Sequence, residues 1–282
     1  MTTIPSAGTS RRTPVEFSEG SGRGGLVNGS GVIAALVRRG FTAMARIPVS
    51  IIPAIAMPVF FTVAFSGAFS ALVLVPGFPT DNILNFMAPY ACLQGAAFAG
   101  VAAAFSTGRD LETGFYDRLL MSPAPRWSLG AASVTYCTVR SLIPFSIVLL
   151  LATIGGLSFP AGPWAVVCLA GATLAVAALA ALWAMGVTFR LRTQASAGLA
   201  QVVIFMAMFL SVGTSPTDIQ QGWLRHVSPY NPLTPIMGLA RAGFIGAGGV
   251  EWAEVWPGLV SIVGTGAILT LWCMRGFAKL RP

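Results

Sequence analysis

The chain has 282 residues, 55% of them apolar and only 9% charged, with a mean hydropathy of +0.76. Soluble domains average about 25% charged residues, so this composition excludes an ordinary soluble domain and points to a membrane. The net charge of +8 would suit nucleic acid, but its placement argues for membrane orientation instead, and no nucleic-acid partner is expected.

Residues 1–30 are rich in Ser, Thr, Gly and Arg and read as a disordered basic tail. They lack the apolar core of ~7–15 residues that a cleavable signal peptide needs. From residue 32 to 47 the pattern turns helical. Ile33, Leu36, Val37, Phe41 and Met44 form one stripe, and Arg39 and Arg46 share another. A basic amphipathic helix of this kind lies in the membrane interface. A frayed cytoplasmic start of the first span would show a similar pattern.

Residues 31–282 then read as one membrane domain. Apolar runs predict six spans, at about 51–75, 84–105, 129–157, 164–189, 195–212 and 257–274. Trp127, Trp164, Trp256 and Trp272 fall near span ends, where interfacial anchors belong. With the N-terminus inside, 14 Lys and Arg residues fall on the cytoplasmic side and two, Arg225 and Arg241, outside. Arg140 is the remaining one, near the inner end of the third span, where it can snorkel. This split predicts an all-α integral membrane fold with six spans and both termini cytoplasmic.

Two segments stand out between the spans. The loop 106–128 carries Arg109, Asp110, Glu112, Asp117, Arg118 and Arg126 within 18 positions. Leu111, Phe115 and Leu119 recur at four-residue spacing, so a short helix there would present an apolar ridge. Gly114 would let a partner backbone come close, and Pro123 and Pro125 stop the helix. Such a ridge fits a partner's groove, and an ordinary solvated loop with one helical turn fits the same pattern. The second segment, 213–256, has mixed character, and Pro229, Pro232 and Pro235 forbid a single long helix there.

Several chemistries find no support. There is no G-x-x-x-x-G-K-[ST] loop to cradle ATP, and the only Lys is Lys279. No Asp or Glu falls inside an expected span, which disfavours a proton-driven carrier. Cys92, Cys137, Cys168 and Cys273 lie in apolar runs without C-x-x-C spacing and read as inert thiols. The single His226 builds no metal site, so no metal or cofactor is expected on this chain. Asp110, Glu112 and Asp117 admit a membrane-embedded transferase as an alternative, and a non-transporting membrane subunit is a second one.

The loop residues Glu112, Gly114, Asp117, Arg118, Leu119, Ser122, Pro123 and Arg126 read E-x-G-x-x-D-R-L-x-x-S-P-x-x-R. This resembles the cytoplasmic loop of type-2 ABC exporter permeases. Gly114, Phe115, Asp117 and Arg118 look most like the daunorubicin-resistance branch. Trp223-Leu224, then Asn231-Pro232-Leu233-Thr234, then Arg241 and Gly246 resemble that family's external element, with Gln221 where a Pro is usual. The resemblance implies an elbow helix before the first span and a coupling helix at Leu111, Glu112, Gly114, Phe115, Asp117, Arg118, Leu119 and Pro123. That helix would dock on a separate ATPase subunit, which would carry ATP and magnesium. The resemblance further implies a second permease subunit, with the transport path at the permease dimer interface in a bacterial plasma membrane. Small residues in 96–104 and 170–181 would let helices approach closely there or in ordinary packing. Apolar walls suit an amphipathic drug-like or lipid substrate, with a polysaccharide or lipid-linked polymer as the alternative.

Overall fold

The computed structural model describes residues 29–46, 52–76, 78–121, 125–211, 220, 222–245 and 249–280. The expected tail at 1–30 lies almost wholly outside these residues, as does the C-terminal pair 281–282. The described chain is all helical. Helix α1 spans Gly29–Arg46, α2 Ile52–Ala68 and α3 Ile83–Glu112. Helix α4 is Phe115–Leu120, α5 Arg126–Arg140 and α6 Leu142–Ile154. Helix α7 is Pro163–Leu191, α8 Ser196–Phe209, α9 Trp223–Val227, α10 Leu233–Arg241 and α11 Trp252–Ala278.

The expectation of six membrane-spanning helices is corrected to four. Among the described residues, four helical stretches are long and apolar enough to cross: Ile83–Glu112, Arg126–Ile154, Pro163–Leu191 and Trp252–Ala278. The runs read as first and fifth spans form only α2, 17 residues, and α8, 14 residues. At ~1.5 Å per residue these reach about 26 and 21 Å, short of a ~30 Å hydrocarbon core. The apolar run after α2 winds into a 3-10 turn, Ser70–Leu74, so hydropathy there continues while the α-helix does not.

Helix α3 is the central member. Its most apolar window is 89% buried, against 11% for α11, which leaves α11 largely open to lipid. Leu259, Val260, Val263, Ile268, Leu271 and Met274 make that open face. The small residues of 96–104 meet those of 170–181 within one chain, along the α3–α7 seam. A Cβ built on Gly100 would lie 2.5 Å from the Ala177 carbonyl oxygen and 2.6 Å from the Ala180 Cβ. Close approach of this kind replaces hydrophobic driving force with dispersion contact in a membrane interior.

The third expected span is divided at Ser141. Pro144 has no N–H for the Arg140 carbonyl, and its ring crowds that carbonyl, so α5 ends there. The Ser141 hydroxyl donates to the Thr138 carbonyl at 2.7 Å. Helices α7 and α11 run parallel: Gly266 faces Leu179, Trp272 faces Gly186, and Phe277 packs on Phe189 at 5.4 Å between centroids. The chain therefore returns from one end of the bundle to the other between 192 and 251, with α8 antiparallel to α3. Phe205 stacks on Phe98 and Phe209 meets Tyr90. Trp127 and Trp164 are exposed at helix ends, whereas Trp272 stacks on Trp183 at 5.7 Å inside the α7–α11 seam.

Candidate functional site

At 30 residues α3 is about 45 Å long, so its last turns project beyond a ~30 Å hydrocarbon layer. The projecting end is pinned to the turn between α7 and α8. The Glu112 carboxylate accepts from the Thr193 hydroxyl at 2.8 Å and from the Gln194 backbone N–H at 2.8 Å. Those two donors hold its carboxyl below the usual carboxylate range. Gly108 makes the approach possible, since a Cβ there would lie 2.7 Å from the Gln194 Cα. The same turn is tied to the end of α11, where the Arg192 guanidinium donates to the Lys279 carbonyl at 2.7 Å.

Gly114 follows with φ of 66°, a left-handed conformation that lets the chain reverse from α3 into α4 without strain. Helix α4 then lies back on its own chain. Tyr116 is 4% exposed and packs against Phe189 and Phe277 at 5.9 and 6.4 Å. Leu111, Leu119 and Leu120 are half-buried against the same cluster, with Leu129, Cys137, Met185 and Cys273. The apolar ridge read from the sequence therefore faces inward at Leu111 and Leu119. Phe115 is half-buried beneath Arg39, whose guanidinium carbon sits 4.1 Å from the ring centroid. Asp117, Arg118 and Met121 remain exposed, Met121 at 80%. Pro123 lies outside the described residues.

Arg39 also joins α1 to the end of α3. It donates through both terminal nitrogens to Asp110, at 3.2 and 3.0 Å, in a fork-to-fork pair. Helix α1 lies along α5, with Phe41 edge-on to Tyr136 at 5.1 Å and Gly40 against the same ring. Arg46 closes α1 on its exposed side. The Arg39–Asp110 pair spans 71 positions, and no sequence pattern announces it. The burial of Tyr116 does carry a local signal: Tyr116, Leu119 and Leu120 form an i, i+3, i+4 set.

The other end of the bundle holds the 222–245 segment. Arg241 is 6% exposed. Its guanidinium donates twice to the Phe86 carbonyl, at 3.2 and 3.1 Å, and lies 3.5 Å over the Phe86 ring. Asn231 opens α10 by accepting from the Leu233 N–H at 3.0 Å, while its amide donates to the Ala207 carbonyl of α8 at 2.6 Å. The Pro232 carbonyl accepts from the Ser261 hydroxyl at 2.6 Å, which ties α10 to α11. Trp223 is exposed and takes no part in this set. Nearby, Asn85 donates to Ser158 and to the Phe244 carbonyl, and receives the Ser158 N–H. Position 85 gave no sequence signal, because a single Asn in an apolar run reads only as tolerated polarity.

Among the described residues no group of three or more His, Cys, Asp or Glu side chains is placed to hold a metal. Residues 76–272 match the model of a family described as "ABC-2 family transporter protein". A curated protein of Cyanophora paradoxa, "Putative transport permease ycf38", is 26% identical over 204 residues, covering 71% of this chain and 69% of that protein. Chains of the matched family are permease subunits without an ATPase of their own. The composition, the four membrane-length helices and the family match agree, and the chain belongs to the ABC-2 transporter family as a multi-pass membrane permease subunit.

Proposed function

We propose that this chain is the permease of an ATP-driven exporter in a bacterial plasma membrane, moving an amphipathic drug-like or lipid substrate. The placement of α4 carries the reading. It is a short helix beyond the end of the central helix, fastened to three parts of its own chain and exposing Asp117, Arg118 and Met121. A partner ATPase that engages this surface would move α3 directly. It would also move α1 through Arg39–Asp110, and the α7–α8 turn through Glu112. ATP and magnesium then belong to the partner, and a second permease subunit completes the assembly.

An apolar cavity of about 650 Å³ supports the amphipathic substrate class. Trp127, Val134, Leu182, Phe189 and Phe277 line it, with Arg126 as its charged member. Pockets for drug-sized ligands run from about 300 to 1,000 Å³ with mostly apolar walls.

The test is the double charge reversal Asp117→Arg with Arg118→Glu, on two exposed side chains of α4. The expected result is a stable, correctly inserted permease that loses ATPase copurification and substrate-stimulated hydrolysis. Full retention of both would remove α4 as the docking element.

A further inference from the structure

A cavity of about 380 Å³ opens between α1, α3, α5 and the inner side of α4, which contributes Tyr116 and Leu119, away from the exposed Asp117 and Arg118. Three arginines line it, one each from α1, α3 and α5: Arg39, Arg109 and Arg140. Among the described residues that line it, Asp110 is the only carboxylate, and Arg39 already engages it. The balance is therefore cationic, and an anion is the complementary occupant. The guanidiniums sit at different depths. Arg140 is 7% exposed at the break between α5 and α6, whereas Arg109 is exposed near the end of α3.

The rest of the wall combines apolar side chains, Leu36, Phe105 and Leu129 among them, with the hydroxyl and amide groups of Ser106, Thr107, Ser133 and Gln194. Phe105 is 47% exposed one turn below Arg109, so apolar surface continues outward from the charged region. A small soluble anion would leave that surface unmatched. An amphiphile with an anionic head would cover both. The level is also right: the cavity lies where α3 leaves the hydrocarbon layer and where amphipathic α1 packs.

We infer that this cavity binds the phosphate headgroup of an anionic membrane lipid, with its chains running along Phe105 and the cavity-lining Leu36 and Met44 of α1. Bound there, the lipid bridges α1, α3 and α5 beside the Arg39–Asp110 pair. This inference stands on the cavity itself and not on the identity of the transported substrate.

The experiment is native mass spectrometry of the purified full chain, titrated with phosphatidylglycerol, with phosphatidylcholine and with inorganic phosphate. Phosphatidylglycerol is expected to bind at least about tenfold more tightly than phosphatidylcholine, a ratio equivalent to ~1.4 kcal/mol. Arg109→Glu and Arg140→Gln should each abolish that preference, while Arg225→Glu, in α9 and outside the cavity, should preserve it. Arg109 is exposed, so its variant folds even where a change at buried Arg140 does not, and melting temperature reports the difference. Equal binding of the two lipids, an unchanged preference in Arg109→Glu, or an equal loss in Arg225→Glu would overturn the inference. Displacement of phosphatidylglycerol by inorganic phosphate at matched concentration would assign the cavity to a soluble anion and overturn it as well.

Discussion

Arg241→Ala removes a buried cation from the junction of α10 with the first turns of α3. The Arg241 guanidinium makes two hydrogen bonds to the Phe86 carbonyl and stacks on the Phe86 ring at 3.5 Å. Hydrogen bonds involving a charged group contribute about 1.5–3 kcal/mol, and a desolvated cation–π contact about 2 kcal/mol. Against these stands the cost of burying the charge, several kcal/mol, which both Ala and Met would relieve. Alanine also leaves a cavity where the long side chain was, whereas methionine fills most of it. The expected net loss is about 2–4 kcal/mol for Arg241→Ala and at most about half that for Arg241→Met, by the same arithmetic. At about 2–4 °C per kcal/mol, Arg241→Ala should lower the midpoint of thermal unfolding in detergent by roughly 4–16 °C. Arg241→Lys should fall between the two, because a point charge replaces the planar fork but volume is kept. An unchanged midpoint in Arg241→Ala, or Arg241→Met melting below Arg241→Ala, would refute this account of what Arg241 does.

Gly100→Val should prevent assembly of the α3–α7 seam, since a Cβ there meets the Ala177 backbone oxygen, which cannot move aside. Size-exclusion of the extracted protein should show loss of the monodisperse species, whereas Gly171→Ala, with nothing within 4 Å of the new atom, should behave as wild type. Glu112→Ala should free the α7–α8 turn, read as a shift and faster exchange of the Gln194 amide by NMR. Because folding lowers the Glu112 pKa, its contribution is present above the unfolded value of ~4.3 and is lost as pH falls through the lower folded value. A Gln194 amide that titrates at or above ~4.3 would contradict the hydrogen bonds described.

What the sequence by itself determined is the class of molecule. A charge content of 9% and long apolar runs are properties of composition, and the pattern around Glu112–Gly114–Asp117–Arg118 is local along the chain; neither depends on packing. Both led to a membrane permease of this family, whose chains are permease subunits without an ATPase of their own. Hydropathy could not say where an apolar run stops being α-helix. The 3-10 turn at Ser70–Leu74 and the end of α8 at Phe209 leave two runs too short to cross, so six expected spans became four.

Only the tertiary structure decided which face of each helix is spoken for. Four-residue spacing places Leu111, Phe115 and Leu119 together, but the same stripe can face a partner or its own chain. Here Phe189 and Phe277 lie beneath it and Arg39 covers Phe115, all contributed by helices distant in sequence. The charged residues divide the same way. Arg39, Asp110, Glu112 and Arg241 look alike in sequence as polar positions beside a membrane. Their partners lie 71 to 155 positions away, and only the folded bundle brings those groups within hydrogen-bonding reach.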